Sequence, residues 1–186
     1  MQTPPGEAQN PDAEGQLLIK SVRGVGGVST PGLPEGAFLG AGAHVSIGQE
    51  ISLPGGVLAE FTLPAGGTVR VNENSRLQFE PDGSVHLHEG EVVVLVPPGS
   101  SRVHVRGAEG EVLEISAGEG RMLRRGERRS VAVVYGQATA VVGGKRTDLG
   151  PGGSLDLAAQ HVVVPTPNPG DTPPPPKANL TTDLAV

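Results

Sequence analysis

The residues best suited to chemistry are His86 and His88, in the run Ser84-Val-His-Leu-His-Glu-Gly-Glu91. Two histidines separated by one residue on a strand place both imidazoles on the same face, which is what a metal ligand pair needs. His104 has the same outward parity, so a three-histidine site requires these three side chains to converge. Val85 and Leu87 are the apolar partners in the alternation, however, so they take the core side and leave both histidines facing solvent. Glu89 and Glu91 follow too closely to complete a ligand set. Five of the 14 basic residues form a second cluster, Arg121, Arg124, Arg125, Arg128 and Arg129, centred on Gly126-Glu127. They read as a hairpin whose arms carry like charge and which needs Glu127, Glu119 or an external anion nearby. Lys145 and Arg146 are expected close by, across the next hairpin. This cluster is the candidate site for a protein partner or an anion.

Nothing else offers a nucleophile or an acid-base pair. The chain has no cysteine, Gly-x-Ser-x-Gly is absent, and no pair of carboxylates stands out. Gly24, Gly26 and Gly27 invite comparison with a dinucleotide-binding loop, but Pro31 and Pro34 forbid the helix such a loop must open. The expectation is a non-enzymatic protein with no cofactor.

The elements that position these residues are strands. From Val57 to Gly99 nearly every residue obeys a two-residue alternation: Val57, Ala59, Phe61 and Leu63 on one face, then Val69 and Val71, Leu77 and Phe79, Val85 and Leu87. Pro64-Ala-Gly-Gly and Pro81-Asp-Gly turn the chain, and Asn72-Glu-Asn74 makes a turn after Val71. The pattern continues through Val103, Val105, Leu113, Ile115, Leu155 and Leu157. No stretch shows the apolar spacing of an amphipathic helix, so the fold class is all-β.

The second half echoes the first. SVAVVYGQATAVVGG (130–144) overlays SVHLHEGEVVVLVPP (84–98) at an offset of 46 residues, with Gly136 on Gly90 and Val133 on Leu87. Two such units predict short antiparallel strands stacked in a sandwich or solenoid-like arrangement with a weak two-fold repeat, each unit covering the other's open edge.

Composition sets the remaining bounds. With 186 residues, one domain can bury a core without metal or disulfide staples. Gly 29 and Pro 18 punctuate the apolar runs, and three Phe, one Tyr and no Trp leave Val, Leu, Ile and Ala to build the interior. A net charge of −6 argues against nucleic acid and anionic membranes as partners. No run reaches the length of a membrane span, and Met1-Gln-Thr-Pro-Pro-Gly does not resemble a signal peptide. Residues 1–16 read as a disordered tail, 17–164 as the β domain, 165–177 as a proline-rich linker and 178–186 as the start of a truncated following domain.

The run Val57-Leu-Ala-Glu-Phe-Thr-Leu-Pro-Ala-Gly-Gly-Thr-Val-Arg-Val-Asn-Glu-Asn-Ser-Arg-Leu77, the Val-x-Leu-x-x-Gly-Glu-Val strand at 85–92 and Ser-Val-Ala-Val-Val-Tyr-Gly-Gln at 130–137 together resemble FecR-like domains, over roughly residues 20–164. The second half departs from that pattern where members often carry Gly-Thr-x-Phe; here Ala117-Gly-Glu-Gly120 stands instead. The resemblance implies an all-β module on the outer, periplasmic side of a bacterial cytoplasmic membrane, acting as an interaction or signal-relay domain of the cell envelope, with a protein partner there or an anionic glycan. The family's namesake regulates an extracytoplasmic-function sigma factor. Its sigma-regulating members also carry a cytoplasmic segment and a membrane helix, which are not seen in this sequence. Two other readings compete. A cupin-like metal- or sugar-binding protein would use His86, His88 and His104, and a structural envelope scaffold would self-associate through its strand edges.

Overall fold

The structure is a computed structural model that describes residues 15–64 and 66–158, and the backbone of 161–163. The linker and following-domain expectations therefore lie outside the described residues, as does the tail up to residue 14. Gly15 and Gln16, assigned to the tail, are ordered: the Gly15 carbonyl accepts the Ile47 N–H, and Gln16 opens the first strand.

Thirteen strands and no helix make up the described chain: β1 (Gln16–Arg23), β2 (His44–Ser46), β3 (Glu50–Leu53), β4 (Leu58–Thr62), β5 (Thr68–Val71), β6 (Ser75–Phe79), β7 (Val85–Val96), β8 (Val103–Gly107), β9 (Val112–Arg125), β10 (Arg128–Val142), β11 (Lys145–Leu149), β12 (Ser154–Asp156) and β13 (His161–Val163). All pairings are antiparallel except β7 with β8. The inward residues read from the alternation are the buried ones, including Val57, Phe61, Val69, Leu77, Val85, Leu87, Val105, Leu113 and Leu155, and they join a single core. No described helix is long and apolar enough to cross a membrane.

Three long strands divide the sheet into two layers. One ladder runs β1, β4, β5, residues 90–96 of β7, 118–124 of β9, 128–133 of β10, β12 and β13. The other runs β3, β6, residues 85–89 of β7, β8, 112–115 of β9, 138–142 of β10 and β11. Phe61 of the first packs on Phe79 of the second with ring centroids 5.0 Å apart, so the two ladders face each other across the core.

The repeat is visible in the pairings. β4 with β5, β5 with the end of β7, and β6 with the start of β7 recur as β8 with the start of β9, that start with the end of β10, and the end of β9 with the start of β10. Each segment and its counterpart sit in opposite layers. The bends fall at glycines: Gly90 with φ 101° and Gly136 with φ 85°, the two positions that the 46-residue overlay matches, and Gly118 with φ 113°. The Gly24 to Gly27 run forms a bend leading into a short bridge, as its prolines foretold. A Cβ on Gly24 would lie 1.9 Å from the Gly56 carbonyl oxygen, so close backbone approach is the reason for that glycine.

Candidate interaction surface at the arginine hairpin

β9 and β10 join through Gly126-Glu127, where Gly126 takes φ 57° at the first position of a two-residue loop. The register sets Arg125 opposite Arg128 and Arg124 opposite Arg129, so the two pairs project from opposite faces of the hairpin. Arg124 has the inward parity of Met122 and is buried. Its Nη1 donates to Glu111 Oε1 at 2.7 Å, its Nε to the His88 carbonyl at 3.4 Å, and its Nη2 lies 3.7 Å from Glu109 Oε1. Arg129 bonds to Glu109 and lies 3.6 Å from Glu111; the Glu109 hydrogen bond holds its guanidinium still more firmly charged. Thus Glu109 and Glu111, not Glu127 or Glu119, neutralise the inward pair. Gly107 makes room for it, since a Cβ there would meet Glu111 Oε2 at 2.4 Å.

Arg121, Arg125 and Arg128 remain outward and exposed. Arg121 Nη1 is 3.3 Å from Glu91, Arg125 donates to the Glu73 carbonyl at 3.2 Å, and Arg128 has no partner among the described residues. Lys145 and Arg146 do not join them. β10 bends at Gly136, which carries β11 into the other layer, where Arg146 pairs with Glu114 at 2.7 Å.

The same outer face holds apolar residues that the alternation did not single out. Val134 and Tyr135 are 54% and 50% exposed at the β10 bend, Leu58 is 42% exposed, and Val93, Leu95 and Leu123 are half-buried between them. Register places Arg70, Val93 and Arg121 in one row across β5, β7 and β9. The break in alternation at Val133-Val134 is the sequence signal for this bulge, where pairing slips between Val133 and Tyr135. An apolar strip flanked by exposed arginines, of which Arg125 and Arg128 have no carboxylate partner among the described residues, suits a protein surface that is partly apolar and acidic. The turn residues also have roles: Asn72 donates to Glu91 at 2.7 Å, Glu73 accepts the Gly56 N–H, and Asn74 takes φ 54°.

His86 and His88 project from the outer face of the other layer, their rings 4.5 Å apart. Each faces its own carboxylate, Glu80 at 3.8 Å and Glu50 at 3.9 Å, while His104 lies 4.0 Å from Glu114. The three do not converge as the cupin-like alternative requires. β7 and β8 run parallel with Val85 opposite Val105, which sets His104 level with Ser84 and turns it toward β9. Among the described residues no three His, Asp or Glu side chains group to hold a metal ion.

Burial, then the neighbouring His86, lowers the His88 pKa; Arg76 acts in the same direction, and Glu50 and Glu80 oppose it. Folding therefore favours neutral His88. That stabilisation is complete above the unfolded value of about 6.5 and is lost as pH falls toward the depressed folded value. Urea midpoints are expected to fall between about pH 7.5 and 5.5, and His88→Gln to flatten that fall. An unchanged slope in the variant would assign the dependence elsewhere. Glu60, whose pKa is lowered chiefly by its Lys20 hydrogen bond, acts only below that window, near the carboxylate range.

No protein-family model matches the chain, and no curated protein does. Two crystal structures of a putative anti-sigma factor from Parabacteroides distasonis share the fold, each with a TM-score of 0.53, at 19% and 18% sequence identity. The likeness covers 61% of this chain and 57% of theirs, so it spans little more than half of those proteins. At that identity the chain is similar to them in fold, an all-β sandwich.

Proposed function

We propose that this chain is a non-enzymatic interaction and signal-relay module of a bacterial cell envelope, working outside the cytoplasm, of the FecR-like kind that its sequence resembles. The observation that carries this reading is the outer face around the hairpin, where exposed Val134 and Tyr135 lie on a sheet that also presents Arg121, Arg125 and Arg128. The shared fold with a putative anti-sigma factor supports a regulatory role in general. A protein partner of the envelope is favoured over an anionic glycan because the apolar strip has no counterpart on a polyanion.

The test is cross-linking in isolated envelopes followed by binding of the purified partner. Arg121→Ser, Arg125→Ser and Arg128→Ser together are expected to weaken binding at least tenfold and to remove most of its salt dependence. Tyr135→Ser is expected to weaken it at every salt concentration. Unchanged binding in both variants would sink the proposal. Competition by heparin with no effect of Tyr135→Ser would favour the glycan, and cross-links to a second copy alone would favour the scaffold.

A further inference from the structure

At one end of the sandwich, residues of the β4–β5 turn, the β6–β7 turn and the β7–β8 loop line a half-open cavity of about 320 Å³. Its floor is apolar, formed by Leu17, Leu63, Phe79 and Val103, all nearly buried. Its rim is polar, and the charges there are unequally matched. Asp82 bonds to Arg106 at 2.7 Å and to the Ser84 hydroxyl at 2.5 Å, and Glu80 lies 3.8 Å from His86. Arg102 is the one charged side chain on this rim with no hydrogen bond or ion pair among the described residues. An apolar slot with one unmatched guanidinium at its mouth is complementary to a molecule with an apolar body and one carboxylate.

We infer that this cavity binds a small amphipathic carboxylate, with its apolar body on Phe79 and Val103 and its carboxylate on Arg102. At about 30 Å³ per water-sized group the space holds on the order of ten non-hydrogen atoms. That fits a medium-chain fatty acid or a single apolar residue at a peptide's C-terminus. The site is separate from the arginine hairpin, so it stands whether or not that surface binds a partner.

Calorimetry and amide chemical shifts on the whole chain test it, with octanoate, octylamine and the tripeptide Ala-Ala-Leu, free or amidated at its C-terminus. Octanoate or the free peptide is expected to bind saturably and to shift the amides of Ser84, Ser101 and Val103, whereas octylamine and the amidated peptide do not. Arg102→Ala is expected to weaken binding about tenfold or more. Ser101→Trp, at an exposed position on the rim, should block the mouth while leaving Arg102 in place. Which of the two acids binds identifies the source of the ligand. No saturable binding of either acid, binding insensitive to both variants, or equal binding of octylamine would overturn the inference.

Discussion

Gly136→Ala is expected to cost about 3–5 kcal/mol, a large fraction of the stability of an ordinary domain. Gly136 holds φ 85°, and a Cβ there would lie 2.1 Å from the Ala117 carbonyl oxygen and 2.7 Å from the Gly118 Cα. Gly118 mirrors it, with a Cβ meeting the Tyr135 carbonyl oxygen at 2.1 Å. These two glycines cross where β9 and β10 pass together from one layer to the other. All of these contacts are with backbone, so a side chain has no flexible neighbour to displace. Gly143→Ala provides the control, since Gly143 takes φ 56° in the β10–β11 turn with open space around its Cβ position. It is expected to cost only about 1 kcal/mol, the backbone strain alone. Urea denaturation and soluble yield read both. If Gly136→Ala matched wild type, or lost no more than Gly143→Ala, the crossing would not be the constraint described.

The second large effect concerns the buried ion pair. Arg124→Ala and Glu111→Ala each strand a charge in the interior, and breaking such a pair typically costs about 3–5 kcal/mol. The lower end is expected here, because Glu109 stays 3.7 Å from Arg124 and Arg129 stays 3.6 Å from Glu111. Arg124→Met combined with Glu111→Leu removes both charges and keeps the volume, so the double variant should be far more stable than the sum of the single losses implies. Additive losses by denaturant midpoint would show that the pair is not coupled. By contrast, the exposed Arg146–Glu114 pair is expected to contribute about 1 kcal/mol or less.

The arginine hairpin shows where reading the sequence stops. Its five arginines look alike along the chain, and only parity distinguishes Arg124 from Arg125. Buried Met122 sets the inward parity, but the carboxylates that neutralise Arg124 there, Glu109 and Glu111, lie more than ten positions upstream in the β8–β9 loop. Likewise, Lys145 and Arg146 are near in sequence but belong to the other layer, because a bend at one glycine redirects the end of β10. Charge pairing between residues far apart in the chain leaves no local pattern, so tertiary structure alone could sort the arginines into a buried pair and an exposed surface.

What the sequence determined by itself was the strand architecture of the middle of the chain: its alternation named the buried face of β4 to β8, of the start of β9 and of β12, and its 46-residue echo marked Gly90 and Gly136 as equivalent. Period-two patterning is a local property that survives folding, because a strand has only two faces and water selects between them. Tertiary structure decided the rest, including the exchange of layers between the repeats, the outward Val134 and Tyr135, the separation of His104 from His86 and His88, and the end cavity beneath Arg102. Each depends on which strands become neighbours, and that is settled by where long strands bend and by which charges meet once they do.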